Sequence, residues 1–341
     1  MTDRLPRTRL TAAFERRVAA VVGAAGRADI PVVVACSGGP DSTAVLVATT
    51  RADTARRVVA AYFDHGMRPH AEIEADRLFV EGLAASVGAE FALGMAGESP
   101  PTSEAGARDA RYRWLAAVCL EVSATHGVTG HTLDDQAETV LLRLTRGAGL
   151  PGVAGMEAEA KWPVPGTPAL RLLRPLLAVR RPEVVAYLEA LGIAPRFDAT
   201  NELVTFHRNR VRHRVLPELR AINPRVDQAL VRFAALARRD NAALEEWVRR
   251  EFASVVTLEG GTARLARREL RALPDAVASR LLRRAAASVG LRPDSDQVEA
   301  MLRLVRRRGA RLSLAGGSFE VESESAVLRR VTGAPGDRGS A

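Results

Sequence analysis

The segment Val32-Val33-Val34-Ala35-Cys36-Ser37-Gly38-Gly39-Pro40-Asp41-Ser42 constrains the fold more than any other part of this chain. Its apolar opening, rich in β-branched valine, specifies a buried strand. Two glycines then permit a tight turn, and Thr43 to Thr49 continues with helix-compatible spacing. Strand, glycine turn and helix in that order build an anion cradle. Backbone N–H groups converge in the turn, and the helix start adds its positive dipole end. Ser37 and Ser42 supply hydroxyl donors, while Asp41 is suited to hold a hard cation such as Mg²⁺ against phosphate oxygens. Ser37, Gly38, Gly39, Pro40, Asp41 and Ser42 are therefore the candidate ATP-binding residues. No lysine follows the glycines, unlike the commoner nucleotide loop Gly-x-x-x-x-Gly-Lys-Ser/Thr. Without a lysine aimed at the β- and γ-phosphates, cleavage between the α- and β-phosphates is expected.

The rest of the first two hundred residues alternates strand-like and helix-like segments. Val58–Phe63 and Glu90–Leu93 read as strands, and so do Gly127–Gly130 and Leu170–Leu173. Phe14–Gly23, Ser103–Ser123, Leu133–Arg146 and Pro182–Leu191 have helical spacing. So does Glu72–Val87, with Leu78, Phe79, Leu83 and Val87 placed on one face. This alternation specifies an α/β fold, a parallel sheet wound on both faces by helices, with ligands beyond the carboxyl ends of the strands. Gly147 to Pro168, rich in glycine and proline, reads as a mobile loop near the site.

Beyond a linker at Pro195–Thr205, Arg208 to Val248 is strongly helical, interrupted at Asn223-Pro224. A smaller α+β unit follows, with two strands around Gly260-Gly261 and helices near Pro274–Val289 and Asp296–Arg307. Closing strands are expected at Leu312–Leu314, Phe319–Val321 and Ala326–Val331. The expected organisation is a catalytic domain over 1–205, a helical linker over 206–250, an appended α+β domain over 251–332 and a disordered tail over 333–341.

Charge separates these parts. Residues 1–200 carry 22 basic and 23 acidic side chains, whereas residues 201–341 carry 27 basic and 17 acidic ones. A near-neutral catalytic half joined to a basic half implies a polyanionic partner. Nearly all of the excess is arginine, and Lys161 is the one lysine. No apolar run approaches the roughly 20 residues of a membrane span, and the N-terminus lacks a signal core. Two cysteines, Cys36 and Cys119, make neither a disulfide framework nor a zinc site, so a cytoplasmic setting is expected.

Further clusters lie where strands end. In Gly130-His131-Thr132-Leu133-Asp134-Asp135-Gln136-Ala137-Glu138-Thr139, helical spacing puts His131, Asp135 and Glu138 on one face. Carboxylates beside a histidine suit an amine nucleophile, because they bind an ammonium group and offer a base. Asp134 is placed to cap the helix or to contact Mg²⁺. Arg111, within Arg108-Asp109-Ala110-Arg111-Tyr112-Arg113, is a candidate to stabilise charge on the α-phosphate. Asp64-His65-Gly66-Met67-Arg68 follows the second strand and helps shape a pocket. Arg208, Arg210 and Arg212 are dense enough to contact phosphates.

The loop resembles that of the ATP pyrophosphatases (the PP-loop enzymes, with an adenine nucleotide alpha hydrolase-like fold). In this order, Ser37–Ser42, Asp64–Arg68, Ala107–Tyr112, His131–Thr139, Arg174–Leu177, Asp198–Asn201 and Arg208–Arg212 resemble the bacterial tRNA(Ile)-lysidine synthetases. The resemblance spans about Pro31 to Leu219 and continues more weakly, as the first appended domain, to about Val331. The second appended domain of the longest members finds no counterpart. The resemblance implies a ligase acting on tRNA(Ile) with a CAU anticodon, using ATP, Mg²⁺ and L-lysine. ATP adenylates the wobble cytidine at its C2 oxygen with release of pyrophosphate. Lysine then displaces AMP to form lysidine, which changes codon reading from AUG to AUA.

By motif match, Asp41 binds Mg²⁺·ATP, Arg111 binds phosphate, and His131, Asp135 and Glu138 hold or deprotonate lysine; Arg208, Arg210 and Arg212 contact tRNA. Whether the chain forms a homodimer is left open. Three alternatives stand beside this reading. A tRNA 2-thiocytidine-forming sulfurtransferase lacks its paired cysteines here. NAD or GMP synthetases give no reason for the basic half. A non-catalytic nucleotide sensor leaves the carboxylate cluster unexplained.

Overall fold

The computed structural model describes residues 5–52, 56–66, 69–96, 103–167, 169–196 and 207–331. Met67-Arg68, the Asp198–Asn201 motif and the 333–341 tail lie outside the described residues. By internal contacts the chain divides into two units, Met1–Ala235 and Leu236–Ala341.

The first unit begins with α1 (Arg9–Val22), β1 (Val32–Ala35), α2 (Pro40–Ala52) and β2 (Val58–Asp64), followed by α3 (His70–Val87) and β3 (Glu90–Met95). It continues with α4 (Glu104–Glu121), β4 (His126–Val128), α5 (Leu133–Leu144), α6 (Leu150–Val153), β5 (Glu159–Lys161), β6 (Arg171–Leu173) and α7 (Arg181–Ala190). Six strands form one sheet in the order β3-β2-β1-β4-β6-β5, and every pairing is parallel except that of edge strand β5.

The valines of β1 show why this sheet is wound on both sides. A strand points alternate residues to opposite faces. Val32 and Val34 enter a core with Phe14, Leu46, Val80 and Tyr187, from α1, α2, α3 and α7. Val33 enters another with Tyr112, Leu115 and Cys119 from α4. A strand buried on both faces needs a continuous apolar run, which is what Val32–Val34 is. From β1 the chain moves outward through β2 and β3, then returns to lay β4 on the opposite side. Strand order therefore reverses between β1 and β4, and the crevice beyond their carboxyl ends is where such sheets bind ligands.

Two local expectations need correction. Leu78 is 53% exposed, and α3 instead buries Asp76, Val80, Leu83, Ala84 and Val87. The segment Gly147–Pro168 is not loop throughout. It contains α6 and also β5, which pairs antiparallel with β6 through Glu159–Leu173 and Lys161–Arg171.

After residue 206 come α8 (His207–Arg210), a π-helical turn (Val211–Val215) and α9 (Leu216–Ile222). The break at Asn223-Pro224 falls where expected, before α10 (Val226–Val255), which carries the chain into the second unit. That unit contains β7 (Val256–Glu259), β8 (Thr262–Ala266), α11 (Arg267–Ala272), α12 (Asp275–Ser288), α13 (Ser295–Leu304), β9 (Arg311–Leu314), β10 (Gly317–Val321) and β11 (Ser325–Arg330). Its sheet is antiparallel, in the order β7-β8-β11-β10-β9. Leu265, Leu281, Met301 and Phe319 fill the core between sheet and helices. Helix α11 had no counterpart in the sequence reading. Among the described residues no helix is long and apolar enough to cross a membrane.

Candidate active site

The turn after β1 is held from within. Ser42 Oγ accepts from Ser37 N at 3.2 Å and donates to Gly39 O at 3.0 Å, and Thr43 Oγ1 donates to Gly38 O at 3.0 Å. Gly38 has φ +85°, a left-handed conformation that favours glycine. Thr43 N bonding to Gly39 O closes the first helical turn, so the N–H groups of Asp41 and Ser42 have no intrahelical acceptor. They are free for an anion, as a phosphate cradle requires.

The turn after β4 presses against this loop. A Cβ on Gly130 would lie 2.6 Å from Asp41 O, closer than real side-chain carbons approach backbone. Glycine at 130 thus lets the two strand-end turns touch and brings the next residues beside Asp41.

His131 Nδ1 lies 2.8 Å from Thr129 Oγ1. Burial, with Arg174, Arg108 and Arg208 nearby, pushes the imidazole down to about 3, against the pull of Asp135. It is neutral at pH 7. Thr132 caps α5, and Asp135 completes the capping box: its Oδ2 accepts from Thr132 N at 2.8 Å and Thr132 Oγ1 at 3.0 Å. Its other oxygen meets Arg208 Nη2 at 3.1 Å, Arg212 Nη2 at 3.3 Å and Arg181 Nη2 at 3.6 Å. Burial is the largest single influence and opposes this charge, yet Arg208, Arg181 and the Thr132 N–H together hold the carboxyl below its usual range.

Glu138, one turn along and 1% exposed, accepts from Arg208 Nε at 2.8 Å and Arg212 Nε at 2.6 Å. Asp134 does not cap its own helix. Its Oδ2 accepts from Arg181 N at 2.9 Å at the start of α7, and its Oδ1 from Arg220 Nη2 at 3.1 Å.

Asp41 Oδ2 accepts from Arg181 Nη2 at 3.1 Å, while its Oδ1 is sealed from solvent with no hydrogen-bond partner. Burial raises this carboxyl to about 6 despite Arg181. A buried orphan acceptor beside a phosphate cradle fits Mg²⁺, which binds through one or two carboxylates together with phosphates and water. Among the described residues no group of three or more His, Cys, Asp or Glu forms a cage of protein ligands alone.

The structure therefore brings together Asp41, His131, Asp135 and Glu138. It also brings Arg208 and Arg212, which the sequence reading gave to phosphate contact. Residues four apart share a helix face, and both guanidinium groups turn inward onto the carboxylates, whereas Arg210 between them is exposed. The π-helical turn that carries Arg212 is a feature common at functional sites. Arg111 stands outside this network, over the Tyr112 ring at 5.5 Å. Asp64 accepts from Gly66 N at 2.8 Å and shapes its own turn. Arg181 and Arg220 escaped the sequence reading, although Arg180-Arg181-Pro182 at a helix start was a visible cue.

Beside Glu138 opens a cavity of about 420 Å³. Pro182, Val185, Ala186 and Leu216 supply apolar wall, and Asp134, Glu138, Glu189, Arg181, Arg212 and Arg220 supply charge of both signs.

Comparison with known proteins fits this geometry. Residues 10–219 match the PP-loop domain family, and residues 265–333 match the TilS substrate binding domain. A tRNA(Ile)-lysidine synthase of Gloeobacter violaceus is 36% identical over 274 residues, which are 79% of this chain and 81% of that protein. One from Salinispora tropica is 42% identical over 270 residues, covering 77% and 78%. Among solved structures, the U34-tRNA thiolase NcsA from Methanococcus maripaludis with its 4Fe-4S cluster superposes with a TM-score of 0.52. At 16% identity over 67% of this chain and 79% of that one, the likeness is of fold.

Proposed function

The chain belongs to the tRNA(Ile)-lysidine synthase family, and from that premise we propose that the residues around Asp41, His131 and Glu138 carry out a two-step ligation. ATP adenylates the C2 oxygen of the wobble cytidine in tRNA(Ile) with a CAU anticodon, releasing pyrophosphate. The ε-amine of lysine then attacks C2 and expels AMP, leaving lysidine, which reads AUA instead of AUG. The observation that carries this reading is the line of three carboxylates, half-buried Asp41 and buried Asp135 and Glu138, that starts at the phosphate cradle and is bridged by Arg181, Arg208 and Arg212.

The cradle of Ser37, Gly38, Gly39, Pro40 and Ser42 holds the triphosphate by backbone N–H groups and the Ser37 hydroxyl, while Pro40, which has no N–H, shapes the turn and the Ser42 hydroxyl braces it at Gly39 O. Asp41, through its orphan Oδ1, would hold Mg²⁺, which offsets the charge of the triphosphate when bound. Arg111 stabilises the negative charge that develops at the α-phosphate.

The cavity beside Glu138 suits lysine in chemistry as well as size. Val185, Ala186 and Leu216 cover an aliphatic stem, while Glu138 in the cavity wall takes the ammonium and Asp135, joined to Glu138 through Arg208 and Arg212, adds its charge behind it. Attack needs the neutral amine. The cations Arg181, Arg208 and Arg212 at the same carboxylates favour the neutral form, because like charges lower an ammonium pKa. His131, neutral in this setting, orients the amine rather than charging beside it. Arg208 and Arg212 meet tRNA phosphate only on leaving these carboxylates, so Arg210 is the contact available from the start. In the second unit a recess of about 620 Å³ is rimmed by Arg303, Arg306 and Arg307 and offers further phosphate contacts.

Sulfur transfer is disfavoured by the thiols themselves. Cys36 and Cys119 lie in separate apolar clusters, and burial pushes them up to about 11 and about 12. Incubating the protein with bulk tRNA, ATP and isotopically labelled lysine, then weighing the nucleosides, tests the proposal. Labelled lysidine is expected; ADP formation, or RNA left unmodified, would overturn it.

A further inference from the structure

Arginines around the crevice fall into two groups. Arg181, Arg208, Arg212 and Arg220 are each paired with a carboxylate. Arg108, Arg111 and Arg174 have no such partner among the described residues. Arg174 is 7% exposed, and its Nη1 donates to the backbone oxygen of Glu157 at 2.8 Å. Its Nε is sealed from solvent with no acceptor, and so are Arg111 Nε and the Tyr112 hydroxyl. Arg108 and Arg111 approach the Tyr112 ring at 4.9 and 5.5 Å. Charges from Arg108 and Arg174 both reach His131, so the cluster borders the same crevice. Burial foremost, with repulsion from Arg108, holds Arg111 and Arg174 below the usual guanidinium range, against the pull of Tyr112 on both and of Glu157 on Arg174.

Unpaired cations and orphaned donors gathered in one buried spot are costly unless a ligand completes them. Three guanidinium forks beside a tyrosine hydroxyl match the oxygens of a phosphate group. We propose that Arg174 and Arg108 join Arg111 in a phosphate-oxyanion subsite beside His131, separate from the cradle at Ser37–Ser42. The proposal rests on the reading above for which phosphates reach it: the α-phosphate of ATP with its departing pyrophosphate, or an RNA backbone phosphate next to the reacting base. Arg174 fixes the position of that oxyanion, and Arg108, half-buried at the rim, admits it.

Binding measurements on the full chain with Arg174→Met, Arg174→Lys and Arg108→Gln test this. Inorganic pyrophosphate is one probe, by calorimetry; bulk tRNA is the other, over a salt series. If the departing pyrophosphate occupies the subsite, Arg174→Met and Arg108→Gln weaken pyrophosphate binding about tenfold, and Arg174→Lys restores part of it. If RNA occupies it, pyrophosphate binding holds, and each charge-removing change lowers the salt slope of tRNA binding by about one. Unchanged affinity for both probes in folded Arg108→Gln and Arg174→Met overturns the proposal. Should Arg174→Met fail to fold, the rim variant Arg108→Gln decides alone. Because both readouts are binding, absence of lysidine in the wild-type reaction would sink the functional reading without touching this one.

Discussion

Replacing Glu138 by glutamine keeps shape and removes charge at the point where the two proposed half-reactions part. The Glu138 carboxylate accepts from Arg208 Nε, Arg212 Nε and Arg212 Nη2. A hydrogen bond to a charged group is worth about 1.5–3 kcal/mol and a neutral one about 1 kcal/mol. The two guanidinium groups are 30% and 22% exposed, so water takes up part of the difference. A stability loss of about 1–2 kcal/mol is expected, or about 2–8 °C in Tm for a unit of this size. The catalytic effect should be larger and one-sided. An ammonium that loses its charged partner loses about 2–3 kcal/mol, or about 30- to 150-fold in the lysine-dependent step. Adenylation does not use Glu138, so pyrophosphate release per tRNA in a single turnover should stay within about threefold. Adenylated tRNA should then accumulate and be visible by nucleoside mass analysis. Equal loss in both steps, or lysidine formation within threefold of wild type, would refute the assignment.

Asp41→Asn should abolish AMP transfer while leaving tRNA affinity in filter binding within about threefold, since the orphan Oδ1 lies beside the proposed phosphate cradle and is sealed from solvent. The Asp41 carboxyl is raised to about 6, so its proton competes with the cation below that pH. Titrations should show Mg²⁺·ATP affinity level above about pH 7 and falling by up to about tenfold per unit below 6, a dependence absent in Asp41→Asn. Gly130→Ala should force the two strand-end turns apart and raise the KM for ATP, with a Tm loss of about 2–6 °C; native kinetics would show that the close approach is unnecessary. Changing Arg303, Arg306 and Arg307 to glutamine should flatten the salt dependence of tRNA binding by about two to three log units per log of salt. An unaltered slope would make those arginines merely solvated.

Much of this was legible from residue order. Continuous valine followed by Ser-Gly-Gly-Pro-Asp-Ser fixes strand, turn and helix locally, so β1, the cradle and α2 followed from sequence alone. Helical spacing likewise put Asp135 and Glu138 on one face of α5, but His131 precedes the cap Thr132 and reaches the site from the strand-end turn, not from that helix. What failed depended on partners far away in the chain. Leu78 fits an apolar stripe, but α3 is rotated so that Asp76 pairs inward with Arg196 at 2.8 Å. Asp134 looked like the cap of its own helix, yet the capping-box geometry went to Asp135 and Asp134 turned to the start of α7. Arg208 and Arg212 read as a phosphate-seeking surface because their counter-ions lie some seventy residues earlier, and no local pattern reveals that pairing. Strand β5 went unseen because a three-residue edge strand takes its register from β6 rather than from its own sequence.

Arg181 has one guanidinium group and two claimants, Asp41 at 3.1 Å and Asp135 at 3.6 Å, while its own N–H is tethered to Asp134. Whatever satisfies Asp41 frees that cation to lean toward the other claimant. On the proposed reading, loading at the nucleotide end would therefore change the affinity for the amino acid, and by thermodynamic reciprocity the reverse would hold with the same factor. A single side chain would thus couple the two affinities by one shared factor, whichever substrate binds first.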